Sequence, residues 1–250
     1  MKKVVLGILI VATVLAVSGV AAASMIIPAN DNAAKKNAKA PEKSPVIGEN
    51  WDLERVDFIH YARPVNPGKT KTETCYKLLG VKWNSLPVSY VINPTNSGLP
   101  ETSVTTAISK SVETWDEATS KELFNNASTV DYSAQYGVQN FKNAIDFNDY
   151  PDSNVIAVTS IWYTRVGKQI VEFDIRFNTD FIWGDATVNP AVMDLQNIAV
   201  HELGHGVGLG DIYSTTCSAV TMYGYSANGD VEKRTLEQPD ITGLRKMYGL

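Results

Sequence analysis

The chain has 250 residues, 27 Asp and Glu against 22 Lys and Arg, and a formal net charge of −5. Hydrophobic residues make up 44% and charged residues 20%, an ordinary globular composition with length for one good-sized domain and additional segments. The mild acidity argues against nucleic acid as a partner, because phosphate backbones call for a basic stripe and none is present.

The first 23 residues read as an address. Lys2 and Lys3 precede the apolar run from Val4 to Val17, and Ala21-Ala22-Ala23 supplies small residues before Ser24. A cleaved export signal fits this order. The alternative is a retained membrane anchor, since the apolar stretch approaches spanning length. Either reading puts the remainder outside the cytoplasm, secreted or anchored and facing outward.

Residues 24–50 are rich in Ala, Lys, Asn and Pro with almost no apolar period, and read as a disordered linker or short pro-segment. The lysines between 35 and 43 belong to that solvated stretch. Residues 51–79 form an N-terminal extension. Val56, Phe58, Ile59 and Tyr61 restore apolar character, and Asn66-Pro67-Gly68 marks a turn. A strand covering part of the following domain is expected there. His60, one of only three histidines, reads as a partly exposed strand residue, although a third or a temporary metal ligand is the alternative.

The main domain spans residues 80–250. Val88, Tyr90 and Ile92 alternate in a short strand that ends at Asn93-Pro94. Pro100 and Glu101 open a helix whose buried face carries Val104, Ile108, Val112 and Trp115. Strands follow at 144–147, 155–163 and 169–177, the last two joined by a hairpin turn at 165–168. In the last strand Val171, Phe173, Ile175 and Phe177 face the core, with Glu172, Asp174 and Arg176 on a wet face. Asn189-Pro190 is expected to start a second helix, Asn as cap and Pro as first residue. The pattern predicts an α+β domain with a mixed sheet.

The second helix carries the chemistry in its last turn, His201-Glu202-Leu203-Gly204-His205. Histidines four apart share one helix face, so both imidazoles can meet one ion. Glu202, one residue on, projects beside that ion, where it can take a proton from water. Gly206 and Gly208 sit where the helix must stop, and a left-handed glycine can turn the chain back. Asp211 can then return its carboxylate to the ion. Three protein ligands with one open position describe a catalytic zinc site rather than a structural one.

The extended run from His201 to Asp211 resembles the zinc motif of the metzincin metallopeptidases, within them the matrixin-like branch. Ala219-Val220-Thr221-Met222-Tyr223-Gly224 is similar to the Met-turn of that class, and Leu236 to Gly249 is similar to its closing helix. The likeness covers roughly residues 80–250. It implies a zincin-type α+β domain with a mixed twisted sheet, two long helices and a C-terminal helix. It also implies one catalytic Zn2+ on His201, His205 and Asp211, with Glu202 as general base and Met222 packed beneath the metal without binding it. Asp211 stands where the family's usual third ligand is His.

The implied activity is hydrolysis of peptide bonds in extracellular proteins or peptides, by a monomer. A membrane is a partner only if the N-terminal segment is retained. Ca2+ is possible, but no calcium motif is present. Cys75 and Cys217, the only cysteines, are expected to form a disulfide in the exported chain. The alternative for Cys75 is a thiolate capping the zinc, although its Thr72-Glu-Thr-Cys-Tyr-Lys setting lacks the family's latency motif. The competing functional reading is a non-catalytic or latent zincin that binds rather than cleaves.

Overall fold

The structure, a computed structural model, describes residues 52–62 and 74–250. The expected export signal, the 24–50 linker, Trp51 and the Asn66-Pro67-Gly68 turn lie outside the described residues. Among the described residues no helix is long and apolar enough to cross a membrane.

The chain runs β1 (Leu53–Ala62), β2 (Tyr90–Ile92), α1 (Glu101–Asp116), β3 (Thr129–Val130), β4 (Asn143–Asn148), β5 (Val155–Thr164) and β6 (Ile170–Asn178). It continues through β7 (Trp183–Gly184), β8 (Met193–Asp194), α2 (Leu195–Gly206), β9 (Tyr225–Ser226) and α3 (Gln238–Tyr248). Seven strands form one sheet in the order β3-β2-β4-β6-β5-β1-β9, and β7 pairs separately with β8. β3, β2, β4 and β6 run parallel to one another, while β5 is antiparallel to β6 and β1 is antiparallel to β5. This is the mixed sheet of the expected α+β, metzincin-like domain.

Apolar alternation and helical spacing meet in one core. Phe173, Ile175 and Phe177 of β6, Ile156 and Ile161 of β5, and Val104, Ile108 and Trp115 of α1 are all buried. Each large apolar side chain of this kind contributes about 1.5–3 kcal/mol. α1 and α2 are also joined by polar contacts, since the Trp115 indole N–H donates to the Val200 carbonyl at 2.7 Å and the Ser111 hydroxyl to that of Gln196 at 3.2 Å.

Two local expectations are corrected. α2 begins at Leu195, with Asp194 as its cap accepting from the Asn197 N–H at 2.8 Å. Asn189-Pro190 instead forms a turn closed by Val192 N–H to Asn189 C=O. The pairing of β8 with β7 keeps Met193 and Asp194 extended, so the helix cannot start earlier. The face of β6 read as wet is also covered. Glu172 and Asp174 are fully buried, because the segment preceding β4 lies over them and aims its backbone N–H groups at their carboxylates. Asn140 N–H donates to Glu172 at 2.9 Å and Gly137 N–H to Asp174 at 2.8 Å. Burial raises Glu172 to about 7 and Asp174 to about 8, despite these donors.

Candidate metal centre

His201 and His205 lie on the buried face of α2 one turn apart, their ring centroids 4.8 Å from each other. Each ring is fixed by a backbone carbonyl. His201 Nδ1 lies 2.8 Å from the Thr221 oxygen and His205 Nδ1 2.8 Å from that of Leu209. A carbonyl only accepts, so both Nδ1 atoms carry the proton and both Nε2 lone pairs point inward.

The turn after α2 makes this possible. Gly208 has φ +101, in the region an L side chain avoids, and the reversal brings Leu209 back to cap His205. The 219–224 turn carries Thr221 to His201. Asp240 of α3 holds that turn, accepting from Thr221 N–H at 2.9 Å and Met222 N–H at 3.3 Å. Met222 is buried and packs on α2 at Gly204, where a Cβ would run into its sulfur and the Trp115 ring.

The acidic side of the site is Asp211. Its Oδ1 lies 3.2 Å from His201 Nε2 and 3.4 Å from His205 Nε2. All three atoms are buried without a hydrogen-bond partner. Buried polar atoms are rarely left so, and acceptors facing one another call for a cation. Burial pushes His201 down to about 4, with Lys233 adding to the effect. Burial also works against the charge on His205 and Asp211, but their mutual attraction outweighs it, raising His205 and holding Asp211 below the carboxylate range.

The expected ligand set, two histidines completed by Asp211 with His60 outside, is corrected by the placement of His60. It is fully buried, and its ring centroid lies 4.0 Å from that of His201. Three imidazoles therefore stand together, with Asp211 and Glu202 flanking them. Two overlapping groups have donor atoms close enough for one ion, His60 with His201 and Glu202, and His201 with His205 and Asp211. The physical reason is strand alternation. Phe58 and His60 share the inner face of β1, where Phe58 stacks on His205 at 4.2 Å. Imidazole nitrogens with carboxylate oxygens are zinc donors, so the cluster fits a single Zn2+.

Glu202 is buried between two partners. The Thr159 hydroxyl donates to Oε2 at 2.6 Å, and His60 Nδ1 lies 3.1 Å from Oε1. Burial raises its carboxyl to about 7, with His205 and the Thr159 hydrogen bond pulling the other way. Cys75 and Cys217 are bonded to each other, Cα to Cα 5.4 Å, so Cys75 offers no thiolate to a metal.

The sequence reading passed over Thr159, Lys233 and Phe58. Thr159 had a signal, since with Ser160 it interrupts the apolar run from Val155 to Trp162. Lys233 had none, since only the folded loop after the Met222 turn brings its ammonium to the site.

A mixed sheet backed by a helix that presents His-Glu-x-x-His, with donors for one zinc, defines a metal site of the zincin kind. The chain belongs to the matrixin family, the Peptidase M10 matrixin model matching residues 82–249. It is 30% identical to human matrilysin over 171 residues, 67% of this chain and 59% of matrilysin. It is 26% identical to rat stromelysin-1 over 169 residues, 67% of this chain and 33% of that protein. It is 24% identical to karilysin of Tannerella forsythia over 193 residues, 76% of this chain and 38% of karilysin. The chain thus spans between a third and three-fifths of the length of these relatives.

Proposed function

We propose that this protein is a zinc-dependent endopeptidase that hydrolyses peptide bonds of extracellular proteins or peptides, with Glu202 as general base. The observation that carries the reading is the set of partnerless buried acceptors around His201 and His205, with the Glu202 carboxyl beside them. Bound zinc supplies Lewis acidity toward a peptide carbonyl and makes water a better acid.

The chain's own residues do the rest. Thr221 and Leu209 hold the two imidazoles in one tautomer. Thr159 fixes one oxygen of Glu202. The other takes a proton from the attacking water and passes it to the leaving amine. Substrate lies extended along the outer edge of β5, adding itself as a strand. The Cys75–Cys217 bond supports a site of action outside the cytoplasm.

One observation favours a second reading, a latent or purely binding zincin: β1 lies along that same edge. The test therefore uses protein from which β1 has been released by a cut between residues 62 and 74. A protein substrate is digested with and without chelator, beside the Glu202→Ala variant. Chelator should abolish hydrolysis, and Glu202→Ala should keep its zinc while losing roughly 10²–10⁴-fold in rate. Undiminished turnover in that variant rejects Glu202 as the base. No turnover in either protein leaves the binding reading.

A further inference from the structure

β1 sits as a guest peptide would. It pairs antiparallel with β5 from Leu53 opposite Thr164 to Tyr61 opposite Val155, and its far edge meets β9 at Tyr61 and Ala62. It is thus gripped in a slot between a sheet edge and the loop wall beyond the Met222 turn. Its outward face is tied down as well, since Arg55 donates to the Ser160 hydroxyl at 3.0 Å and that hydroxyl donates to Asp57 at 2.7 Å. Its inward face meets the metal centre, with Phe58 on His205 and His60 on His201.

With β1 in place the centre has no access. His201, Glu202 and His205 are all fully buried. The His60 ring bridges two charged groups. Its Nδ1–H donates to Glu202 Oε1 at 3.1 Å, and its Nε2 accepts from the Lys233 ammonium at 3.1 Å. Lys233, itself buried, is held in place by the carbonyls of Tyr223 and Tyr225. The side chain at this register therefore enters a narrow space with the Glu202 carboxyl on one side and an ammonium at its end.

With β1 as the cleft occupant that the latent reading already names, we propose that the His60 space ended by Lys233 selects which peptides can replace it: those presenting a hydrogen-bond-accepting side chain there. The inference rests on the peptidase reading for what the cleft does, but not for what the cleft holds. Lys233 carries only donors, so a His, Gln or Glu side chain of suitable reach restores the contact that His60 makes. An aliphatic side chain does not, and sites that hydrogen-bond a polar group discriminate strongly against its absence.

The test keeps the whole chain, with a site-specific protease sequence placed within residues 63–73. The chain is cut after folding and the freed strand removed by gel filtration. Hydrolysis of a protein substrate is measured before and after, and peptides of residues 52–62 are added back with binding followed by calorimetry. The cut protein should be at least about tenfold faster than the intact one, and the native peptide should suppress that gain. In the peptide, His60→Gln should bind within about tenfold of the native sequence, while His60→Leu should fall at least about tenfold below His60→Gln. In the Lys233→Met protein that gap between Gln and Leu should close.

Equal rates before and after removal of the strand, or equal binding by the Gln and Leu peptides, overturns the proposal. If Lys233→Met does not fold, the ranking in the unsubstituted protein still decides. A cut protein that binds the peptides in the stated order but hydrolyses nothing refutes the peptidase reading and leaves this one standing. One that hydrolyses but ignores the peptides does the reverse.

Discussion

Gly208→Ala tests how tightly the backbone after α2 is coupled to the metal centre. Gly208 has φ +101, and a Cβ there would collide with the Val81 carbonyl oxygen and approach Met247 Sδ to 3.3 Å. The left-handed conformation costs an alanine about 1–2 kcal/mol, and forcing a methyl into a packed backbone contact costs about 1–3 kcal/mol more. The expected loss of stability is therefore about 2–5 kcal/mol. Gly98→Ala and Gly137→Ala are internal controls. Both positions have positive φ, +72 and +82, with nothing within 4 Å of an added Cβ, so they incur only the first cost, about 1–2 kcal/mol. Urea unfolding measures all three. The strain at Gly208 should also shift Leu209, whose carbonyl orients His205. Zinc affinity, read by chelator competition, should fall about 10–100-fold in Gly208→Ala and stay unchanged in the controls. If Gly208→Ala costs no more than Gly98→Ala, or leaves zinc affinity intact, this coupling of turn to ligand is wrong.

Glu172 and Asp174 make stability depend on pH. The fold raises them from 4.5 and 3.8 to about 7 and about 8, through burial. Between those limits the folded chain holds more protons than the unfolded one, so their contribution is present in acid and lost as pH rises through 7 and 8. The loss is on the order of a few kcal/mol. Urea midpoints should fall from about pH 5 to about pH 8, less steeply in Glu172→Gln and Asp174→Asn; a midpoint rising over that range contradicts the assignment. The Cys75–Cys217 bond closes a separation of 142 residues, and Cys75→Ser with Cys217→Ser should cost about 2–5 kcal/mol. Reductant should then leave the double variant unaffected; a double variant as stable as the parent rules out a structural role for the bond.

The parts of the site written in consecutive residues were legible from sequence. The spacing of His201 and His205 is helix geometry, and Gly208 predicts the reversal that follows. The α1 face and the β5–β6 hairpin were legible because period and turn residues agree. What failed depended on chain segments far apart in sequence. Glu172 and Asp174 alternate like solvent-facing residues, and only the 137–144 backbone folded over them makes them buried. Asn189-Pro190 has the composition of a helix start, but the β7–β8 pairing competes for the same residues and Asp194 becomes the cap. His60 was misplaced because its partners come from β5, α2 and the loop carrying Lys233. Its alternation with Phe58 was a usable sign that it faces inward.

The Cys75–Cys217 bond also sets how far a disturbance at the N-terminal side can travel. Just past it, Leu79 N–H reaches the Gly208 carbonyl at 3.0 Å and Gly210 N–H reaches Lys77 at 2.9 Å, lacing the chain to the loop that carries Leu209 and Asp211. A pull arriving from upstream meets a covalent anchor before it meets this lacing. On the proposed release of the first strand, this anchor and lacing would hold the loop that shapes the ion's surroundings.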